Sequence, residues 1–430
     1  MSIESLAFPG LLHYPMHAPV HAPTRPFVPQ VQIREKVRRG DVIAIGASLV
    51  HAAAPGIVVS IAARPSPLPD GRAVTTVSIE TSCTDDGYRR IGFTDDLAEL
   101  VYRAGIVGLG GAGYPTHLKL RRARKLGVTA VMINAAECEP GVSADQALLE
   151  QYAEDVVLGA LAVRDYLGAG RVVVGIEHDK HAAIAALERV VAEFEIATVQ
   201  ADYPTGAERT LIAHVFGELV PRHAYPTDHG IVVLNVATAH AIHRATSASA
   251  PLMRRIVTLG GKTNVWVPIG CPFGDLPLPD GPKWFGGPLT GWPVTGDASV
   301  TKTCNSIAMD ARRLASPCIR CGWCADACPE SLLPQELYRT IRLERWAEVE
   351  RFKLGDCIEC GACDQACPSH IPLLGYFRYA KTHLGAAASA QTQAHDARGR
   401  YLAREARIAA RREETSARRD HRLASGRSWD

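Results

Sequence analysis

Eight of the twelve cysteines in this 430-residue chain fall into two copies of one spacing, Cys-x2-Cys-x2-Cys-x3-Cys-Pro. The first copy is Cys318, Cys321, Cys324, Cys328 and Pro329; the second is Cys357, Cys360, Cys363, Cys367 and Pro368. Three closely spaced thiolates can hold three corners of an iron–sulfur cubane. The fourth, released by a short turn and a proline, reaches across to the neighbouring cluster. The expectation is therefore two [4Fe–4S] clusters held crosswise. Cys318, Cys321, Cys324 and Cys367 bind one; Cys357, Cys360, Cys363 and Cys328 bind the other. Zinc is the competing reading, but zinc sites usually separate two Cys-x-x-Cys pairs by about a dozen residues or more and need no third cysteine so close. The pattern describes a chain that moves electrons.

The rest of the chain is ordinary globular protein, with 47% hydrophobic and 21% charged residues. Its length suggests several domains, and its net charge of +2 favours no polyanion; no nucleic acid is expected. No stretch approaches the roughly 18 apolar residues that span a bilayer, and Met1 to Val20 lacks the basic and apolar blocks of a secretory signal. Thiols kept for iron point to a reducing compartment. Cys83, Cys138, Cys271 and Cys304 are scattered and read as small buried residues.

The fold class expected is multidomain α/β. Residues 1–30, rich in Pro and His (His13, His17, His21), read as an irregular arm. Residues 31–85 read as a small β-sandwich module of lipoyl-like type, with β runs Val42–Ile45, Ile57–Ile61 and Val74–Ile79 between turns. No lysine sits at a hairpin tip to carry a prosthetic group, so the module is expected to be structural. Residues 94–250 alternate helix and strand, as in a Rossmann-like α/β domain with a mostly parallel sheet. Helices are expected over Asp95–Ala104, Gln146–Tyr166 and His181–Phe194; strands over Val128–Ile133, Arg171–Ile176 and Gly230–Val236. Residues 254–300 read as a small β-grasp-like module with strands Arg255–Leu259 and Asn264–Pro268, and Pro272–Pro293 as mostly loop. Residues 311–385 form a helical two-cluster ferredoxin domain with a helix over Gln335–Phe352. Residues 391–430, with ten arginines among six acids, read as a basic Ala/Arg-rich tail, an exposed helix or disordered.

A second chemical signal lies at Gly108-Leu-Gly110-Gly111-Ala-Gly113-Tyr114-Pro115-Thr116-His-Leu-Lys119. It contains G-x-G-x-x-G, but the dinucleotide fingerprint follows a strand, and here a helix precedes the loop and a strand follows. Glycines still let backbone N–H groups approach a phosphate, and a lysine can pair with its charge. Asn134-Ala-Ala-Glu137-Cys-Glu139-Pro140 follows the strand Val128–Ile133 directly, and ligands of parallel sheets gather at such carboxyl ends.

Together with Tyr203-Pro-Thr-Gly206-Ala-Glu208 and Asn235-Val-Ala-Thr238, these strings resemble the FMN- and NADH-binding subunit of respiratory complex I. The module order, and Pro317–Tyr376 in particular, is more similar still to the C subunit of the Rnf (Rsx) ion-translocating electron-transport complexes. Leu109 and Ala136 stand where complex I has arginine and aspartate; Rnf-type sequences are apolar there too. The resemblance implies FMN contacts at Gly108, Gly110, Lys119, Asn134, Glu137, Gly206, Asn235 and Thr238. It implies NAD(H) contacts at Tyr114, Glu139 and Glu208, and no acid–base catalyst of the chain's own.

What it implies for activity is an NADH-linked flavin/iron–sulfur oxidoreductase: a peripheral subunit on the cytoplasmic face of a bacterial inner membrane. It would exchange electrons between NAD(H), FMN and two clusters. Its expected partners are integral membrane and ferredoxin-like subunits that couple the redox drop to ion translocation. Three other readings stay open. One is a soluble flavin/iron–sulfur reductase similar to cobalamin reductase; another is a non-catalytic electron wire with a vestigial flavin site; the last is an iron–sulfur sensor.

Overall fold

A computed structural model describes residues 3–6, 10–16, 26–69, 73–82, 87–221, 224–294, 298–309 and 314–424. His17, His21 and Cys83 lie outside the described residues. The architecture is mixed α/β with several sheets, as the alternation of patterns predicts.

Residues 11–81 carry two antiparallel sheets. One orders Leu11–Pro15, Ala73–Thr81, Gly56–Pro65 and Lys36–Val37; the other orders Val28–Pro29, Val42–Ile45 and Leu49–His51. Alternation drives the burial: Val58 is inside while Ile57 and Val59 are exposed, the mark of strands with one wet face.

The N-terminal arm is not irregular throughout. Leu11–Pro15 is an edge strand against Ala73–Thr81, and Ile3–Ser5 pairs in parallel with Asn264–Trp266. The segment shows too little β pattern of its own, because its partners lie at residues 76–80 and 264–266. His13 is buried, bonded to Ser78 and Arg64.

The central sheet is wholly parallel, in the order Glu195–Val199, Arg171–Glu177, Ala130–Ala135, Ile231–Asn235. Its inner strands are nearly continuous apolar runs buried on both faces, as a covered parallel sheet requires. Helices Ala144–Leu167 and Val236–Ala248 pack together over one face. The other face carries a smaller core of Met132, Val199, Leu211, Ile212, Ile231 and Val233 beneath helix Glu208–Phe216. Three elements went unread, helix Thr116–Leu126, the edge strand Glu195–Val199 and helix Glu208–Phe216. The helix expected to reach Phe194 stops at Glu188. The Gly-rich loop does open a helix, Thr116–Leu126, although no strand enters it.

A six-stranded mixed sheet orders Ile3–Ser5, Thr263–Pro268, Arg254–Leu259, Ser306–Met309, Lys283–Phe285 and Trp292–Val294. It therefore extends past residue 300, and the Pro/Gly-dense stretch contributes two short strands instead of loop alone. Lys302 joins three parts of the chain. Its buried ammonium donates to Ser48 Oγ (3.0 Å), Leu49 O (2.6 Å) and Gly105 O (2.7 Å). Beside it His51 is almost wholly buried.

From Leu314 to Pro372 the chain is short helices and cysteine loops. The helix expected over Gln335–Phe352 is two, Pro334–Arg342 and Trp346–Arg351. They are broken where Glu344 takes a left-handed φ of 53°. The halves repeat closely: Arg320, Gly322 and Ser331 have positive φ, and so do Glu359, Gly361 and His370, each 39 residues on. Gly322 and Gly361 each open the four-residue helix that carries the third cysteine, a turn that favours glycine. A continuous helix, Leu373–Ala424, carries the tail away from the domain, its described arginines exposed.

Candidate functional site

The eight motif cysteines line two separate hollows that open to solvent. The first is lined by Cys318, Cys321, Cys324 and Cys367, with Tyr338 and Ile371. The second is lined by Cys328, Cys357, Cys360 and Cys363, with Leu374 and Phe377. The fourth cysteine of each run thus faces the other run's hollow, the exchange that the spacing predicts. Among the described residues no three His, Cys, Asp or Glu groups converge on one point that could hold a metal ion.

Burial pushes the Cys324, Cys357 and Cys360 thiols up, and Cys363 furthest, where the Asp364 carboxylate adds to it. Thiolates crowded out of water need a compensating cationic centre, so the donor set fits iron–sulfur clusters. Backbone N–H groups also point at sulfur, Leu332 at Cys328 and Glu359 at Cys357, both at 3.4 Å.

The Gly-rich loop is braced from three sides. Gly108 N–H donates to Tyr114 O, and Gly113 N–H to Gly108 O. Leu109 N–H donates to the buried Thr238 Oγ1 at 2.9 Å, and the buried Arg255 donates to Leu109 O and Lys302 O. These bonds leave Gly110, Gly111 and Ala112 exposed at the crest, their N–H groups without partners among the described residues. A run of free N–H groups is a cradle for an anion such as phosphate. A Cβ on Gly110 would crowd Asn235, 3.3 Å away.

Asn134 and Asn235 are register partners at the carboxyl ends of adjacent strands. Asn134 Nδ2 donates to Gly206 O (2.9 Å) and its Oδ1 accepts from Ala136 N–H. Gly206 must be glycine, since a Cβ would strike Ala136 O. Asn235 caps helix Val236–Ala248 through Ala237 N–H (3.0 Å) and donates to Asp145. Lys119 Nζ reaches Val233 O (3.0 Å) and Glu208 (3.5 Å).

Glu137 Oε2 accepts from Asp145 N–H and Gln146 N–H, while its Oε1 is buried without a partner. Desolvation, then the Asp145 carboxylate, pushes the Glu137 carboxyl up. An orphaned acceptor of this kind awaits a donor, and a flavin with its ribityl hydroxyls is one group that offers donors.

The structure brings Gly108, Gly110, Lys119, Asn134, Glu137, Gly206, Glu208, Asn235 and Thr238 to one end of the parallel sheet. Tyr114 is half-buried at the loop's exit. Glu139 is differently engaged. Its carboxylate accepts from Leu289 N–H (2.8 Å), Thr290 N–H (2.7 Å) and Thr290 Oγ1 (2.8 Å).

That loop touches the cysteine domain in turn. Arg378 donates to Thr290 O (2.7 Å) and to Glu359 (2.9 Å). Lys381 donates to Glu359 (2.9 Å) and Cys357 O (2.6 Å). Tyr203 hydroxyl donates to Cys360 O, and a Cβ on Gly361 would strike Leu289 O. Sequence reasoning places Tyr203 and Glu359 inside motifs but gives them no role. It misses Thr290, Arg378, Lys381 and Arg255, for which no local pattern exists.

Residues 101–244 match the Nuo51 FMN-binding domain family, and residues 314–371 match the 4Fe-4S dicluster domain family. The C subunit of the ion-translocating oxidoreductase complex of Salmonella enteritidis is 35% identical over 88% of this chain and 58% of its own length. That of Pasteurella multocida is 38% identical over 86% of this chain and 48% of its own. The chain thus spans about half to three-fifths of the length of these relatives. The crystal structure of an NAD+-reducing [NiFe]-hydrogenase in the air-oxidized state superposes with a TM-score of 0.48 at 22% identity, over 65% of this chain and 62% of that one. With matches to an FMN-binding domain family and a 4Fe-4S dicluster domain family in a single polypeptide, the chain is a homologue of the C subunit of ion-translocating oxidoreductase complexes.

Proposed function

We propose that this protein exchanges electrons between NAD(H), FMN and two [4Fe–4S] clusters as a peripheral subunit of an Rnf-type complex. The observation that carries the reading is the hydrogen-bonded chain Glu139–Thr290–Arg378–Glu359–Lys381–Cys357 O, which joins the sheet-end site to the second cysteine hollow. The chemistry supplied there, when the groups are bound, is the conversion of a hydride pair into single electrons.

The chain's own residues bind and orient. The free N–H groups of Gly110, Gly111 and Ala112 and the Lys119 ammonium hold the phosphate end of FMN, with Gly108 shaping the loop. Asn134, Gly206, Asn235 and Thr238 shape the floor, and Glu137 accepts from the flavin with its free oxygen. Tyr114 and Glu208 contact NAD(H), while Glu139 fixes the Leu289–Thr290 loop beside them. Cys318, Cys321, Cys324 and Cys367 hold one cluster and Cys357, Cys360, Cys363 and Cys328 the other.

In this reading residues 11–81 are a barrel-sandwich module and the six-stranded sheet a β-grasp-like one, both structural. No helix among the described residues is long and apolar enough to cross a membrane. Ion translocation therefore belongs to integral membrane partners, with this subunit at their cytoplasmic face.

The test is cofactor analysis of anaerobically purified protein. One FMN, about eight iron and about eight sulfide per chain are expected, with NADH bleaching the flavin. Zinc in the cysteine hollows, or flavin that NADH leaves oxidised, defeats the proposal. Full activity without membrane partners would favour the soluble reductase.

A further inference from the structure

The two cysteine copies are alike in backbone and opposite in cover. In the second, Gly361 is pressed against Leu289 O, Glu359 is paired with Arg378 and Lys381, and Tyr203 reaches Cys360 O. The residues 39 positions earlier have no such cover. Cys318 and Cys321 are exposed. Ile319 is 68% and Trp323 57% exposed, and Arg320 is exposed without an ion pair among the described residues. Trp323 stands where the second copy has Ala362, and Arg320 where it has Glu359. A tryptophan and an isoleucine exposed on one short loop suit a docking face, and tryptophan and arginine are the usual anchors of such faces.

We propose that the loop Cys318–Trp323 is the docking surface for a second protein that carries its own one-electron centre. It takes the place that the flavin-side loop and Tyr203 take on the second copy. This rests on the electron-transfer reading above, since thiols open to solvent beside an apolar anchor serve a cluster that exchanges with another molecule. Each encounter moves one electron between iron held by these thiols and the partner's centre; one is oxidised, the other reduced, and no bond or proton changes hands. The second copy, sealed by its own chain, faces inward.

The test places the photo-crosslinking residue p-benzoylphenylalanine at position 323 of the full chain, in cells that make the whole complex. Irradiation is expected to give an adduct that mass spectrometry identifies as a protein holding an iron–sulfur, flavin or haem centre. An adduct only with a protein lacking such a centre, an adduct only with a second copy of this chain, or no adduct overturns the proposal.

A second arm uses Ile319→Glu/Trp323→Glu protein with a bacterial two-cluster ferredoxin as probe. Loss of two anchors lowers the affinity about tenfold or more. Iron content and the spectrum of dithionite-reduced clusters stay at wild-type values, as they do in Val191→Glu, a matched exposed control that binds normally. Equal affinities in all three proteins would sink the docking face. Flavin that NADH cannot bleach in wild-type protein would instead sink the function proposed above, and the crosslink reads independently of it.

Discussion

The body of the molecule up to Met309 and the cysteine domain after Leu314 are held together by different physics. The body closes one large apolar core over its four sheets, and burial of that kind is the main stabilising term in folding. The cysteine domain has a small core: Leu332, Leu337, Ile341, Val349, Leu354, Ile371, Leu373, Phe377 and Ala380, with Cys324 and Cys363 among them. Two cysteine-lined hollows that open to solvent adjoin this small core. A domain so small needs staples, and clusters in those hollows are what can supply them. Stability in the body is a property of the polypeptide; in the cysteine domain it is shared with what the cysteines bind.

Removal of iron should show the largest contrast. In chelator-treated, anaerobic protein, amide exchange over residues 314–384 should rise to nearly unfolded rates. The strands Ala130–Ala135, Arg171–Glu177 and Ile231–Asn235 should keep their protection. Equal protection in both regions, with iron gone, would erase the comparison.

Arg378→Ala sharpens the comparison at the joint between the regions. It leaves Thr290 O and one oxygen of Glu359 unpaired, a loss of about 2 kcal/mol for bonds to a charged donor, read as a lower denaturation midpoint. Removing a cation beside the second hollow should also lower the potential of its cluster and leave that of the first unmoved in a redox titration followed by electron paramagnetic resonance.

The smallest effect concerns acid. Burial, and then the Lys302 charge, depress His51 from 6.5 to about 3; burial also lowers His117 and His240 to about 4. All three lie in the body. A histidine with a depressed native pKa binds fewer protons folded than unfolded, so stability is full above pH 6.5 and falls as pH drops toward the native value. His51 alone should cost about 1 kcal/mol between pH 6.5 and 5.5. His51→Leu should flatten that slope in chemical denaturation of the body while exchange in residues 314–384 keeps its pH dependence. An unchanged slope would remove His51 as a source.

The cysteine sets were legible because ligand spacing is local: three sulfurs within seven residues state their geometry without reference to the rest of the chain. The strand ends at Asn134 and Asn235 were legible for a similar reason, as continuous apolar runs stop where water begins. What was not legible depends on distant partners. Ile3–Ser5 becomes a strand because Asn264–Trp266 offers it an edge. Glu139 looked free to take a ligand, and its three donors come from residues 150 positions away. Thr290 and Arg378 belong to no motif; they matter because folding sets them between two sites. The break at Glu344 is a local left-handed turn within a pattern that stays amphipathic on both sides.

Thr290 spans the gap between those sites, its N–H and hydroxyl on Glu139 and its carbonyl on Arg378, beside a second link from the Tyr203 hydroxyl to Cys360 O. The separation of the sheet-end site from the second cysteine hollow is therefore held in part by one residue's covalent skeleton, and not only by how tightly two surfaces adhere. Tunnelling falls off exponentially with separation, so this stretch acts as a fixed ruler. Under the proposed function, an insertion at Thr290 would slow electron exchange while leaving the proposed cofactor ligands in place.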